Sequence, residues 1–317
     1  MSEISEAEFV ARWSSTPFVL TAPVKAWPIY RSWSLDWLVR QYGTIKFQAE
    51  SVSWSLQSYV EYSRNNRDES PLYLFDKAFK SKMALTQDSY GPPKCFGTDL
   101  FNVLGNQRPD HAWLIIGPER GGSTFHKDPN STSAWNAVIR GSKYWIMFPP
   151  DSPPPGVFVS QDQSEVTSPL SITEWLLAFH AEARVTPGCR EGICEEGEIL
   201  YVPAGWWHLV FNLQEGIALT QNFVPPQHLN STLDFLKNNA EQVSGFPDNV
   251  RSPFQLFTQK MEASYPELLR KGMVQLERQT SKIGKRKWIA EDENGGHKKK
   301  QSVNFTFGFQ DADDEGI

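Results

Sequence analysis

The middle of the chain, from His111 to Val224, is a series of short apolar runs separated by glycine and proline. Runs such as HAWLIIG, KYWIMF and IALTQNFV are rich in β-branched and aromatic residues, which are typical of strands. The 20 Phe and 12 Trp among 317 residues supply the large apolar areas that such a core buries. Many short strands with turn residues between them favour a mainly β fold, either a barrel or a sandwich.

Helical periodicity is found on both sides of this segment. SWSLDWLVRQYG and SLQSYVEYSRNN have apolar residues at helical spacing after a serine that can cap the first turn. TLDFLKNNAEQV and SYPELLRKGMVQLERQ show the same spacing near the C-terminus. We therefore expect an N-terminal helical and mixed region over 1–110, a β core over 111–226, C-terminal helices over 227–280 and a disordered charged tail over 281–317. A proline- and serine-rich stretch over 148–171 is expected to be an exposed insert.

Charge and cysteine content narrow the class of protein. The 31 basic and 37 acidic residues give a net charge of -6, which argues against a generally basic nucleic-acid binder. Any contact with nucleic acid is expected to be local and weak. The cysteines number 3, the opening MSEISEAEFV lacks the basic and apolar parts of a secretory signal, and no apolar run is long enough for a membrane span. We expect an intracellular, soluble protein without membrane contact, and the sequence leaves its oligomeric state open.

Two histidines and one aspartate form a candidate metal set. His126 and Asp128 are separated by one residue, an arrangement that this composition would produce roughly 0.7 times by chance. His208 adds weight, because it follows a Pro-Ala-Gly turn on an apolar strand, where a buried imidazole needs a partner. Two histidines and one carboxylate can hold Fe(II) and leave three positions open. On ligand count alone, catalytic zinc stays an alternative, whereas Cys189 and Cys194 lack the spacing of a structural zinc site.

A first glycine turn predicts where further polar residues point. Gly141-Ser142 is a two-residue hairpin candidate, and strand pairing across it would set Arg140 opposite Lys143 and Asn136 opposite Met147. Asn136 and Lys143 would then share one face of the sheet.

A second loop makes a similar prediction. A hairpin at Gln214–Gly216 would set His208 opposite Asn222 and Val210 opposite Thr220, so that His208 and Thr220 share a face. A lysine cation and a threonine hydroxyl near a metal would suit a dicarboxylate that chelates the metal at one end. The simpler alternatives are a solvated lysine at a hairpin and a threonine that only favours the strand.

Five motifs between Thr16 and Pro225 carry a family resemblance: RDESPLYLFD, FGTDLF, RPDHAWLIIGPERGGSTFHKDPNSTSAWNAVIRGSKYWIMFPP, GEILYVPAGWWHLVFNL and IALTQNF. The sequence resembles the Jumonji-C (JmjC) oxygenases, and within them the lysyl hydroxylases and arginine demethylases of the phosphatidylserine-receptor type. The resemblance implies a double-stranded β-helix, the cupin-like jelly roll, with N-terminal and C-terminal helices. It also implies an oxygenase that uses Fe(II), 2-oxoglutarate and O2 to hydroxylate a protein side chain, by lysyl hydroxylation or N-methyl demethylation.

The resemblance also assigns roles to individual residues. It implies that the iron ligands are His126, Asp128 and His208, and that 2-oxoglutarate is contacted by Lys143, Thr220, Tyr73 and Asn136. The sequence departs from the family pattern at Lys127, over residues 151–190 and in the absence of a long serine tract. These departures leave the substrate and its target residue open.

Two other functions are compatible with the same family. The first is hydroxylation of RNA, as in a tRNA-modifying JmjC branch, and the second is a catalytically silent binding module. The expected partner is a protein, such as a histone or a splicing-related protein. The basic clusters at 285–287 and 298–300 resemble a two-part nuclear import signal, so we expect a nuclear protein; the alternative is an ordinary solvated terminus.

Overall fold

The computed structural model describes residues 1–86, 88–160 and 165–278. Its strands are β1 (Phe18–Leu20), β2 (Lys46–Ala49), β3 (Val52–Ser55), β4 (Leu74–Asp76), β5 (Ala112–Gly117), β6 (Gly122–His126), β7 (Ser133–Arg140), β8 (Lys143–Phe148), β9 (Phe158–Val159), β10 (Val166–Thr167), β11 (Arg190–Cys194), β12 (Ile199–Val202), β13 (Trp207–Asn212) and β14 (Gly216–Phe223). Its α-helices are α1 (Glu6–Glu8), α2 (Pro28–Ser32), α3 (Leu35–Tyr42), α4 (Leu56–Asn65), α5 (Phe79–Lys82), α6 (Ile172–Val185), α7 (Leu229–Asn238) and α8 (Pro253–Ser264), and short 3-10 and π-helical turns lie between these elements. Residues 266–278 are also helical.

Two antiparallel sheets form the core of the structure. The larger sheet has the strand order β1-β12-β7-β14-β5-β4-β2-β3, and the smaller has the order β11-β8-β13-β6. From β5 to β8, and again from β11 to β14, consecutive strands alternate between the two sheets. Between these two series, β9 and β10 form a separate two-stranded ribbon. This alternation gives a cupin-like jelly roll, which confirms the predicted mainly β fold with helices at both ends.

Both predicted hairpins are wrong. Strand β7 pairs with β12 and β14, whereas β8 pairs with β11 and β13, so Arg140 lies opposite Ile217 rather than Lys143. The chain crosses from one sheet to the other at Gly141, whose φ of 80° suits this sharp corner. Hairpin rules assume that strands adjacent in sequence pair with each other, whereas the strands of this jelly roll pair with partners that are distant in sequence.

The second loop is also a crossover between sheets. His208 on β13 lies opposite His126 and Met147, and Thr220 on β14 lies opposite Trp113 and Asn136. The predicted pairs His208 with Asn222 and Val210 with Thr220 are therefore absent, and Asn136 does not lie opposite Met147. His208, Thr220, Asn136 and Lys143 nevertheless line one interior, because the inner faces of the two sheets pack against each other.

The space between the two sheets contains a cluster of apolar side chains and, beside it, several polar side chains. Its buried apolar residues come from both sheets and from the turn before β13: Ala134, Val138, Trp145, Met147, Cys194, Leu200, Val202, Trp206 and Val210. The outer face of the larger sheet packs against the N-terminal helices, and α6 covers the outer face of the smaller sheet. The Trp175 ring of α6 packs edge-on against Phe125 of β6, with ring centroids 4.8 Å apart. The interior polar side chains described below therefore lie in a shell that is closed on both sides.

The flanking helices begin where the sequence predicts. The Ser34 hydroxyl accepts a hydrogen bond from the Trp37 backbone N–H at 3.2 Å, and the Ser55 hydroxyl accepts one from Ser58 at 3.1 Å. These caps start α3 and α4, so both N-terminal helices are confirmed. Near the other end, α7, α8 and the helix over 266–278 share a second buried cluster with the 3-10 segment Leu100–Gln107.

The division into domains stays a prediction. Strand β4 pairs with β5, so residues on both sides of position 110 belong to one continuous sheet. The proline-rich stretch contains the β9-β10 ribbon, where Phe158 is 71% exposed. The predicted tail over 281–317, with its basic clusters, lies outside the described residues. Among the residues that are described, no helix has the length and apolar character needed to cross a membrane.

Candidate metal and co-substrate site

Strand pairing brings the predicted metal ligands together. His208 on β13 lies opposite His126 on β6, and their imidazole centroids are 4.1 Å apart. Asp128 follows two residues after His126, just past the end of β6. One ligand atom from each of the three side chains lies within 4.8 Å of the other two. This is the first of two groups of polar side chains in the jelly-roll interior.

Backbone carbonyls fix the orientation of both imidazoles. His126 Nδ1 lies 2.8 Å from the Thr124 carbonyl oxygen, and His208 Nδ1 lies 3.0 Å from the Trp206 carbonyl oxygen. A carbonyl only accepts hydrogen bonds, so each neutral ring carries its proton on Nδ1. The lone pair of each ring is then on Nε2, as a metal requires.

Asp128 supplies a carboxylate whose bonding is incomplete. Its Oδ1 accepts a hydrogen bond from Asn222 Nδ2 at 3.4 Å. Its Oδ2 is buried and lacks a hydrogen-bond partner among the described residues, although it lies 4.0 Å from His208 Nε2. Burial raises the pKa of the Asp128 carboxyl and lowers the pKa of both imidazoles. A divalent cation would satisfy the free oxygen and both Nε2 lone pairs at once, so these residues fit a metal ion.

The second polar group surrounds a buried lysine. Lys143 on β8 is 3% exposed, and its Nζ donates a hydrogen bond to Asn212 Oδ1 at 2.7 Å. Burial lowers the pKa of Lys143 to about 8. No carboxylate of the described part of the chain lies within ion-pair distance of this amine. Since a buried cation without an anion is costly, the site is suited to an anionic ligand.

The other predicted co-substrate residues line the same interior. The Tyr73 ring lies beside the lysine, with its centroid 5.5 Å from Lys143 Nζ. Asn136 on β7 and Thr220 on β14 are directly paired, and the Asn136 Oδ1 atom is buried without a hydrogen-bond partner among the described residues. Thr220 donates to the Trp135 carbonyl oxygen at 3.1 Å. The smaller sheet thus supplies the lysine, and the facing larger sheet supplies the amide and hydroxyl.

Trp145 lies between the two polar groups. On β8 it follows Lys143 by two residues and precedes Met147 by two, so the three share the inner face. Their partners on β13 are Asn212, Val210 and His208 in the same order. The Trp145 ring centroid is 5.9 Å from that of His208. A short ligand lying along this ladder could reach the metal group with one end and Lys143 with the other.

The site prediction missed two asparagines. Asn212 holds Lys143, and Asn222 holds Asp128 while also donating to Thr132 Oγ1 at 3.0 Å. Period-two alternation could have found both, because Asn212 shares a face with His208 and Asn222 shares a face with Thr220. An amide in an apolar strand is a usable signal for the same reason as His208: when buried it needs a partner.

A family comparison agrees with this architecture. The model of the family described as the cupin-like domain matches residues 2–228. The chain belongs to the cupin-like JmjC family. Among its curated JmjC relatives, the arginine-specific demethylase JMJ22 of Arabidopsis thaliana is 45% identical over 268 residues, covering 83% of this chain and 53% of that protein.

Two further cupin-like relatives carry informative names. The bifunctional arginine demethylase and lysyl-hydroxylase psr-1 of Caenorhabditis briggsae is 33% identical, over 68% of this chain and 57% of psr-1. The 2-oxoglutarate and iron-dependent oxygenase JMJD4 of Danio rerio is 28% identical, over 59% of this chain and 46% of that protein. The chain thus spans about half the length of these three relatives.

Proposed function

We propose that the chain is an Fe(II)- and 2-oxoglutarate-dependent oxygenase, with His126, Asp128 and His208 as the iron ligands. The observation that carries this proposal is that one ligand atom from each of the three side chains lies within 4.8 Å of the other two. Both imidazoles are held at Nδ1, which leaves Nε2 for a metal, and the buried Asp128 Oδ2 has no hydrogen-bond partner in the described part of the chain. A facial set of two histidines and one carboxylate leaves coordination positions for a chelating co-substrate and for O2. The name of the JMJD4 relative, an iron-dependent oxygenase, supports the choice of iron over zinc.

The buried lysine supports 2-oxoglutarate as the co-substrate. In this proposal Lys143 Nζ binds the distal carboxylate, while Thr220, Tyr73 and Asn136 line the chamber around it. A charge-assisted hydrogen bond in a water-poor interior is stronger than a neutral one, so the lysine would set most of the affinity. Bound iron would supply the activation of O2 that couples decarboxylation of 2-oxoglutarate to oxidation of a substrate C–H bond.

The protein's own contribution is positioning and exclusion of water. The carbonyls of Thr124 and Trp206 hold the two imidazoles by their Nδ1 protons, and Asn222 holds the carboxylate by Oδ1. The Trp145 ring, 4% exposed, occupies the inner face between the anchor and the metal group. Fixed donors in a closed shell need little reorganisation when the co-substrate binds.

A protein side chain is the proposed substrate. The names of JMJ22 and psr-1 describe arginine demethylation and lysyl hydroxylation by those proteins. Both reactions hydroxylate a C–H bond. In demethylation the carbon is an N-methyl group, which is lost after it is hydroxylated. In lysyl hydroxylation it is a side-chain carbon, and the resulting alcohol is stable. We include histones and splicing-related proteins among the candidate substrates, and the nucleus as the proposed location.

Succinate release can test the reaction and its substrate class together. Purified protein with Fe(II), 2-oxoglutarate and O2 is incubated with histone-derived peptides, splicing-factor peptides and tRNA in parallel, and each product is weighed by mass spectrometry. We expect a peptide to gain an oxygen atom or lose a methyl group, with succinate formed in proportion. A modified tRNA with unmodified peptides would instead favour an RNA oxygenase, and no succinate under any condition would leave a silent binding module. His208→Ala protein is the matched control.

Nuclear location has an independent test. A fluorescent fusion of residues 281–317 is expected to accumulate in nuclei, because the basic side chains at 285–287 and 298–300 would bind an acidic import carrier. Replacing both basic clusters with alanine should abolish this accumulation. A full-length protein that stays in the cytoplasm would contradict the proposed location but not the proposed oxygenase activity.

A further inference from the structure

The lysine that we propose as the co-substrate anchor is held by a neutral group. Lys143 and Asn212 occupy paired positions on β8 and β13, and the amine donates to Asn212 Oδ1 at 2.7 Å. Both side chains are buried, at 3% and 1% exposure. Lysine side chains that are buried in proteins are usually paired with a carboxylate, so a neutral acceptor at this position is unusual.

The orientation of the Asn212 amide follows from its other contact. Its Nδ2 donates to the Pro118 carbonyl oxygen at 3.1 Å. Since a carbonyl cannot donate, the NH2 end must face Pro118 and the oxygen must face the lysine. The neighbouring Gly117 leaves the required space: a Cβ there would lie 2.5 Å from Asn212 Nδ2 and 2.9 Å from the Tyr73 ring. The amide is therefore fixed by its surroundings and does not need the lysine to hold it.

Two further neighbours of the lysine, Tyr73 and Cys194, are neutral as well. Burial raises the pKa of the Tyr73 hydroxyl and of the Cys194 thiol, which belongs to the residue paired with Lys143 on β11. Both groups are thus protonated and uncharged near neutral pH. The positive charge of Lys143 is solvated by an amide oxygen but balanced by no anion of the described chain.

We infer that the absence of charge at Asn212 sets the co-substrate preference: a neutral side chain at this position keeps the charge of Lys143 free for the second carboxylate of a 2-oxo dicarboxylic acid. The inference rests on the proposed oxygenase function. A 2-oxo monocarboxylic acid of the same length would place an apolar methyl group against this cation and leave it unbalanced. Sites with a buried polar group reject ligands that cannot pair with it, so the discrimination is expected to be large.

An aspartate at this position would reverse the preference. Asn212→Asp changes volume very little but places a carboxylate beside the amine, where the two would form an internal ion pair. The second carboxylate of 2-oxoglutarate would then meet a balanced pair and an added negative charge. The methyl end of 2-oxovalerate, which has the same five-carbon chain, would no longer face a free cation.

The experiment measures binding and turnover of both acids. Wild-type, Asn212→Asp and Asn212→Ala proteins are loaded with Mn(II), and 2-oxoglutarate and 2-oxovalerate are titrated by calorimetry; succinate and butyrate formation are then measured with Fe(II). In Asn212→Asp we expect 2-oxoglutarate affinity to fall at least ~30-fold, with 2-oxovalerate binding equal or improved. In Asn212→Ala the lysine stays unbalanced, so the preference for 2-oxoglutarate should persist even if both acids bind more weakly.

Each outcome has a distinct meaning. Asn212→Asp protein that keeps the wild-type ratio of affinities would overturn the inference. So would Asn212→Ala protein that loses the ratio, because the charge of the residue would then not be the cause; this second variant decides the matter if the aspartate variant does not fold. Wild-type protein that binds neither acid would overturn the proposed function instead. Thermal unfolding of each variant separates loss of binding from loss of structure.

Discussion

His126 and His208 are paired across β6 and β13, with imidazole centroids 4.1 Å apart, although they belong to different halves of the jelly roll. The ligand geometry thus depends on closure of the smaller sheet rather than on any local motif. Each ring is held at Nδ1 by the carbonyl two residues before it, at Thr124 and Trp206. The metal group is therefore expected to form only in folded protein.

Removing the lysine should weaken the co-substrate and spare the metal. In Lys143→Ala protein we expect the KM for 2-oxoglutarate to rise at least ~10-fold, because a charge-assisted hydrogen bond in a buried site is lost. The iron content should stay at the wild-type level. Steady-state kinetics with varied 2-oxoglutarate and metal analysis check both points, with the exposed Lys46→Ala variant as the control. Loss of iron together with an unchanged KM would show that Lys143 has a different role.

The same lysine predicts a pH dependence. Burial lowers the pKa of Lys143 to about 8, and a carboxylate binds the protonated amine. Affinity for 2-oxoglutarate should therefore be constant below pH 8 and fall above it, with the KM rising by up to ~10-fold per pH unit. Kinetics between pH 6.5 and pH 9.5 measure this profile. The rise should vanish in Lys143→Ala protein, and its persistence there would assign the titration to another group.

Asn222 is expected to support the metal without touching it. Its Nδ2 donates to Asp128 Oδ1 at 3.4 Å and to Thr132 Oγ1 at 3.0 Å. Asn222→Ala should lower Fe(II) affinity about 10-fold to 100-fold, which is the usual effect of removing a partner that orients a ligand. Competition with a chelator measures the affinity. Unchanged affinity in a folded variant would mean that the carboxylate is oriented by the fold alone.

A buried histidine outside the site should make stability fall in acid. His228 contacts Ser133 Oγ at 2.7 Å, and burial lowers its pKa to about 4 from an ordinary 6.5. Between these values the unfolded chain binds a proton that the folded chain does not, so stability falls as the pH drops from 6.5 towards 4. We expect this histidine to cost about 2 kcal/mol of stability at pH 5 and to add almost no pH dependence above pH 6.5.

Chelator-treated protein unfolded by urea at pH 7 and at pH 5 tests this account. The wild-type protein should lose more stability between the two pH values than His228→Gln, since glutamine does not titrate. The variant can be less stable at both pH values without affecting the comparison. Equal losses in the two proteins would place the acid sensitivity elsewhere.

The sequence predicts those parts of the fold that are set locally. Ser34 and Ser55 cap α3 and α4 because capping depends on a hydroxyl and the first helical turn. The strand partners could not be predicted in this way. Lys143 follows Arg140 closely in sequence, yet the two lie in different sheets, because the jelly roll pairs strands that are far apart along the chain.

The site shows the same division. The alternation of side chains along β13 and β14 is a local property. It places His208 and Thr220 on the inner faces of their strands, whichever strands pair with them. It would also have placed Asn212 and Asn222 there. Their contacts with Lys143 and Asp128 depend on the register of strands that are distant in sequence. Only the folded structure therefore shows that the Asn212 amide holds the lysine and that the Asn222 amide holds the carboxylate.

Iron binding by wild-type and His208→Ala protein is the most direct test of the central claim that this interior is an Fe(II) and 2-oxoglutarate site. Under anaerobic conditions we predict that the wild-type chain binds Fe(II) in a one-to-one ratio and, after O2 is added, converts 2-oxoglutarate to succinate. His208→Ala should remove an Nε2 ligand and lose both the iron and the turnover, while a circular dichroism spectrum confirms that it folds. Full iron content and wild-type turnover in folded His208→Ala protein would contradict the assignment.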